Sequence, residues 1–118
     1  MKATELMIGD WVLFDHNPVR VAILGAAQDS LGLAVGDNVF GQPYSIIEPI
    51  PLTEEIVEDR SCPQVSIYWD DRKTEETGEN WYEVMIHTKS CAAELHIRYV
   101  HELQHALRLC GIEKEIIL

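Results

Sequence analysis

Apolar and polar residues alternate in short runs through the first 50 residues of the chain. Three runs predict strands, because β-branched and aromatic residues at a period of two fit a half-buried sheet: LMIGDWVLF (6–14), VRVAILGAA (19–27) and LGLAV (31–35). Gly9-Asp10 predicts a bulge or tight bend, Asn17-Pro18 predicts a turn, and residues 36–43 predict a loop. Short strands at close spacing indicate a small N-terminal β-lobe over residues 1–52, similar to an SH3-like barrel.

The second half of the chain has longer alternating runs. Prolines at 49 and 51 predict an extended connector, and Thr53 predicts the N-cap of a short helix over roughly residues 54–59. VSIYW (65–69) and WYEVMIH (81–87) predict two strands joined by a long, solvated, charged hairpin loop, DDRKTEETGEN. ELHIR (94–98) predicts a third strand, and IEKEIIL (112–118) predicts a last one.

The segment YVHELQHALRLCG (99–111) has the spacing of an amphipathic helix that ends at Gly111. The sequence therefore predicts an α+β protein in which the small β-lobe precedes a second lobe, residues 53–118. That second lobe is expected to be an antiparallel sheet packed by one C-terminal helix. We expect the two lobes to form one compact unit.

Charge and cysteine content narrow the functional classes. The chain has 118 residues and a formal net charge of -11, which repels phosphate backbones, so direct nucleic-acid binding is not expected. An acidic decoy that mimics DNA is an alternative. The three cysteines have no C-x-x-C spacing and predict reduced thiols in the cytoplasm. No apolar run reaches the length of a membrane span, so no membrane association is expected.

The predicted C-terminal helix spells H-E-x-x-H with His101, Glu102 and His105. In zinc hydrolases, two histidines at this spacing share the metal, and the glutamate activates the bound water. Here the helical pattern places both histidines roughly opposite the apolar face, on the solvent side. No histidine follows His105, and no spacing selects a third ligand among the upstream histidines at 16, 87 and 96. The sequence therefore favours an ordinary amphipathic helix and predicts no metal or cofactor.

Three segments, ELMIGDWV (5–12), IEPIPLTEE (47–55) and IRYVHELQHAL (97–107), occur in this order. They resemble a pattern, ELxIGxWV … IxPIPLTEE … YVHxLQ, found in small uncharacterised proteins of Bacteroides-type gut bacteria and their phage-like or other mobile elements. The resemblance implies a shared fold and a mobile-element context, but no activity. That group has Gln and Asn where this chain has Glu102 and His105, so only His101 of the zinc motif matches.

Three residues are candidates for binding. Tyr68 and Trp81 flank the predicted hairpin loop, and strand alternation directs Tyr68 away from the core. Exposed aromatic side chains mark contact surfaces, although these two could also cover the sheet. His101 follows a strand-to-helix junction, where it could bind a ligand or orient the backbone. The acidic cluster between residues 70 and 79 lacks calcium-loop spacing.

Together these features predict a non-enzymatic binding or accessory module, acting through protein–protein interaction in a mobile-element context. The partner would be an unknown protein, and self-association through an edge strand or the helix is an alternative. A zinc-dependent hydrolase built on His101, Glu102 and His105 is the rival from the enzyme class. The hydrolase requires both histidines to face a cleft, whereas an interaction module requires an exposed contact surface.

Overall fold

The computed structural model describes residues 5–24, 30–58, 64–89, 92–112, 116 and 118. The chain divides into two compact units, Met1–Ile50 with Leu118 and Pro51–Ile117. The predicted α+β class is confirmed, because the fold contains two antiparallel sheets and a C-terminal helix. None of the helices among the described residues is long and apolar enough to cross a bilayer.

The N-terminal unit is one five-stranded antiparallel sheet with the order β4-β3-β2-β1-β5. Its strands are β1 (Trp11–Phe14), β2 (Asn17–Leu24), β3 (Ser30–Val35), β4 (Asn38–Pro43) and β5 (Glu48–Pro49), with a 3-10 helix at Tyr44–Ile46. Within the described residues, β4 and β5 are the two ends of the sheet. Among these residues the sheet does not close into a complete barrel.

Two turns of this sheet differ from the prediction. The β1–β2 turn uses Asp15 and His16, whose φ angles are 50° and 62°, and β2 begins at the predicted turn Asn17-Pro18. The predicted loop over residues 36–43 is mostly strand β4, which pairs along its whole length with β3. Glycine and proline suggested a loop there, but Gly41 pairs with Gly32 inside the ladder and Pro43 ends the strand at the sheet's edge.

The core of the N-terminal unit lies on one face of its sheet. Alternate residues of β1, β2 and β3 are buried, as expected from the period of two along a strand. The 3-10 helix adds an aromatic ring to this cluster. Its buried members are Leu6, Val12, Val19, Val21, Leu31, Leu33, Tyr44 and Ile47.

The C-terminal unit has a three-stranded antiparallel sheet with the order β6-β7-β8. Its elements are α1 (Glu54–Glu58), β6 (Val65–Trp69), α2 (Asp71–Thr77), β7 (Tyr82–His87), β8 (Ala92–Ile97) and α3 (Val100–Leu109). The predicted short helix, the three strands and the C-terminal helix are confirmed. One face of the sheet is buried through Val65, Val84 and Ile86.

The charged connection between β6 and β7 is helix α2, so the predicted solvated loop is wrong. Asp70 caps the helix, because its Oδ1 accepts the backbone N–H of Lys73 at 3.0 Å. Gly78 ends it with φ 75°, the left-handed conformation that glycine adopts without a steric penalty. Four of the seven residues of α2 are Arg, Lys or Glu, which favour a helix, so the charge that indicated a loop belongs to an exposed helix.

Several predictions fall outside the described residues. Cys62 and Cys91 lie there, as do residues 113–115 and 117 of the predicted last strand. Cys110 is described and is half-buried.

Candidate functional site

Helix α3 buries a wider arc than its apolar residues alone predict. His101 is only 5% exposed, so the prediction that it faces solvent is wrong. The ring of Tyr99 at the helix start stacks on the His101 ring, with centroids 5.8 Å apart. His105 is half-buried, and its ring meets His101 edge-on at 5.6 Å. The buried side chains of α3 are Val100, His101, Leu103, Gln104, Ala106 and Leu107.

The glutamate of the H-E-x-x-H sequence has a structural partner at the start of α3. Glu102 Oε1 accepts the backbone N–H groups of Tyr99 at 3.1 Å and Arg98 at 3.2 Å. A glutamate at the third helical position commonly reaches back to the N-cap in this way, satisfying donors that the helix leaves unbonded. These two hydrogen bonds give Glu102 a structural role that needs no metal, and they direct its carboxylate toward the backbone.

Replacing Glu102 tests this capping role. We expect Glu102→Ala to lower the free energy of unfolding by about 1 kcal/mol, because two N–H groups lose their acceptor. Glu102→Gln should cost much less, since the amide oxygen can accept the same bonds. Urea unfolding followed by circular dichroism measures both. Equal losses in the two variants would contradict the capping role.

Two of the three predicted binding residues belong to one row of stacked rings and cations. Trp81 lies between Lys73, whose Nζ is 4.1 Å from the ring centroid, and Arg98, whose Cζ is 4.9 Å from it. Arg98 also lies 4.8 Å from the ring of Tyr99, which stacks on His101. Such cation–π contacts stabilise each exposed pair by about 0.5–1 kcal/mol. This row therefore links α2 with the start of α3 and with the residues just before it, and its interactions are internal to the unit.

Tyr68 stands apart from that row. It is 56% exposed on the outer face of β6 and pairs across the sheet with Glu83. The structure therefore brings Trp81 and His101 into one network and leaves Tyr68 on the solvent-facing side of an edge strand. That Tyr68, Trp81 and His101 bind a partner stays a prediction.

A pocket is found in the described part of each unit. The pocket in the C-terminal unit has a volume of about 320 Å³, and there Arg98 pairs with the Glu79 carboxylate. The pocket in the N-terminal unit has a volume of about 360 Å³ and lies beside the β1–β2 turn. Both volumes lie at the lower end of the range for small-molecule pockets, about 300–1,000 Å³. Extended surfaces are therefore stronger candidates than either pocket.

The outer face of the C-terminal sheet gathers a mixed set of metal-ligating groups. Glu83 on β7 pairs with His96 on β8, and Glu94 is two residues before His96 on the same face. One ligand atom from each of these three side chains lies within 4.8 Å of the others. Among the described residues, this is the group of metal-ligating side chains whose ligand atoms come this close together. His101 and His105 do not belong to it.

A third carboxylate, that of Asp70, orients the histidine of this group. His96 Nδ1 lies 2.7 Å from Asp70 Oδ2, and His96 Nε2 lies 3.9 Å from Glu94 Oε1. The backbone N–H of Lys73 and then the hydrogen bond with His96 lower the pKa of Asp70. A hydrogen bond with Glu94, followed by partial burial and the charge of Glu94, raises the pKa of Glu83. The two glutamates therefore lie close enough for their side chains to interact directly.

Strand β4 of the N-terminal sheet carries two adjacent exposed apolar side chains. Val39 and Phe40 are 52% and 50% exposed, and they are adjacent in a strand with no charged residue. β4 lies at the end of its sheet, where among the described residues it pairs with β3 alone. Natural edge strands are usually protected by charge, by covering elements or by short length. Sequence reasoning missed this surface because it assigned these residues to a loop.

Comparisons with protein-family models, with curated proteins and with solved structures find no match. Function is therefore inferred from the geometry of these surfaces.

Proposed function

We propose that the protein is a non-enzymatic interaction module that binds an extended segment of another protein along strand β4. The observation that carries the proposal is the adjacent exposure of Val39 and Phe40 on an uncharged edge strand. An extended peptide that joins a sheet edge gains main-chain hydrogen bonds, while side chains at alternate positions supply specificity. Val39 and Phe40 point to opposite faces of β4, so a bound strand would have an apolar neighbour on each face.

Charge defines the chemistry of the partner. The chain has a net charge of -11, and β4 contributes nothing to it. A partner strand with apolar residues and flanking lysine or arginine residues would be attracted over a distance and would meet no charge at the edge itself. A second copy of this chain would bring the same negative charge, which disfavours self-association at low ionic strength. The preferred occupant is therefore a basic segment of a different protein.

The N-terminal sheet belongs, on this proposal, to the SH3-like class. Its first four strands follow one another as a meander, and β5 returns beside β1 after the 3-10 helix. This path brings the ends of a small sheet toward each other, as in partly open barrels. The sequence resemblance supports a role as an accessory protein of a mobile element.

A peptide titration tests the proposed contact. The probe is a short synthetic peptide with a central run of valines flanked by lysines, added to isotope-labelled protein and followed by the amide signals in NMR spectra. We expect changes concentrated at residues 38–43 and much weaker changes with the glutamate–valine counterpart. The double variant Val39→Ser/Phe40→Ser should weaken binding roughly tenfold, or about 1.4 kcal/mol.

Tyr68→Ser is the matched control, because it removes an exposed aromatic side chain from an edge strand of the other sheet. It should leave the binding unchanged. Changes that map to β6 or α3, or equal responses to both peptides, would overturn the proposal. Sedimentation of the protein alone tests whether a second copy of this chain binds β4 instead. A dimer that the double variant abolishes would show that it does and would overturn the proposal.

A further inference from the structure

We propose that Glu83, Glu94 and His96 form a binding site for a zinc-like divalent transition metal on the outer face of the C-terminal sheet. The site is independent of the proposed strand-binding function. It differs from an acidic surface patch because one imidazole and two carboxylates converge, with their ligand atoms within 4.8 Å of one another. This donor set matches the preference of zinc for nitrogen and carboxylate oxygen ligands.

The sheet register explains why these residues converge. Glu83 and His96 are direct partners in the β7–β8 ladder, and Glu94 lies on the same face of β8. Directly opposed side chains on neighbouring strands have Cβ atoms about 4.5–5.5 Å apart. Ligands about 2.1 Å from zinc are about 3.4 Å apart in a tetrahedron, so rotations of half-buried or exposed side chains suffice to close the site.

Asp70 prepares the histidine for a metal. An ionised carboxylate can only accept hydrogen bonds, so the 2.7 Å contact requires His96 Nδ1 to carry a proton. In the neutral ring, Nε2 then holds the lone pair, and Nε2 is the atom that lies toward Glu94. Asp70 is itself fixed by the backbone N–H of Lys73 at the start of α2. A carboxylate that holds the second nitrogen of a ligating histidine is a recurring feature of zinc sites.

The nature of the donors also limits the choice of metal. Calcium and magnesium prefer oxygen ligands and gain little from an imidazole, whereas zinc binds it readily. Three protein ligands leave a fourth position for water or for a donor from another molecule. Asp70 is a positioning residue, because it acts on the metal through His96.

Titration with zinc chloride and, separately, calcium chloride tests the site by isothermal calorimetry on protein prepared free of metal. We expect one zinc per chain and much weaker calcium binding. His96→Ala and Glu94→Gln should each weaken zinc binding at least tenfold, while circular dichroism shows that both variants fold. Asp70→Asn keeps a helix-capping oxygen but removes the charge, and should weaken zinc binding about 10-fold to 100-fold.

His105→Asn is the matched control. It removes one histidine of the H-E-x-x-H sequence, which lies outside the proposed site, and should leave zinc affinity unchanged. NMR of the histidine side chains adds a direct signature: the Nε2 signal of His96 should shift on zinc addition. Absence of zinc binding, equal binding of calcium, or loss of zinc in His105→Asn but not in His96→Ala would overturn the proposal. None of these measurements involves a protein partner, so they fail or succeed independently of the strand-binding proposal.

Discussion

Replacing Asp10 by alanine is expected to lower the free energy of unfolding by about 2 kcal/mol or more. Asp10 is fully buried, and its Oδ2 accepts the backbone N–H of Met7 at 2.7 Å. Its own backbone N–H donates to Met7 O, and its carbonyl oxygen accepts from Val21 N at 2.9 Å. The carboxylate thus closes the tight bend that precedes β1. Backbone hydrogen bonds with Val21 also join this bend to β2. Alanine would leave the Met7 N–H without this acceptor and open space in a packed region.

The size of the effect follows from burial, and two companion variants test that reasoning. Asp10→Asn keeps an oxygen of the same size at the same place, so we expect a loss below about 1 kcal/mol. Asp37→Ala removes an exposed carboxylate from the β3–β4 turn and should change stability by less than about 0.5 kcal/mol. Urea unfolding at neutral pH measures all three. A loss in Asp37→Ala as large as in Asp10→Ala would show that burial does not set the cost.

Sequence patterns predicted those elements whose identity depends on local periodicity. β6, β7, β8 and α3 were all predicted from alternation or helical spacing, since each has one face that is more buried than the other and the pattern records it. Helix α2 was missed because none of its residues is buried, so no apolar stripe marks it. Its ends did carry signals: an N-cap aspartate at Asp70 and a terminal glycine at Gly78.

The candidate site required contacts that periodicity does not record. Glu94 and His96 are two apart in a predicted strand, so their shared face could be inferred from the sequence. Placing Glu83 beside them needs the register of the β7–β8 hairpin, and placing Asp70 needs helix α2. The burial of His101 could not be predicted from the sequence either. Its ring stacks on Tyr99 at the helix start, and this contact depends on the path of the preceding strand. Chemistry on a sheet face is therefore fixed by register as much as by residue type.

Gly32 shows the same dependence on register within the N-terminal sheet. It pairs with Ile23 on one side and with Gly41 on the other. A Cβ atom at Gly32 would lie 2.9 Å from Val39 Cγ1, which is closer than real Cβ atoms approach other atoms, and 3.1 Å from Ile23 Cβ, which is tighter than most Cβ contacts. A Cβ atom at Gly41 would meet nothing within 4 Å. Two glycines that look equivalent in the sequence therefore differ in the space around them.

We expect Gly32→Ala to lower the free energy of unfolding by about 1–3 kcal/mol, because the added methyl group overpacks the space between β2 and β4. Gly41→Ala is the matched control and should be neutral or stabilising by up to about 1 kcal/mol, since it restricts the unfolded chain without a clash. In the Val39→Ala background, the nearest obstacle is gone, so Gly32→Ala should cost less. A double-mutant cycle from urea unfolding measures this coupling. Additive losses, with no relief from Val39→Ala, would show that Val39 does not limit the space above Gly32.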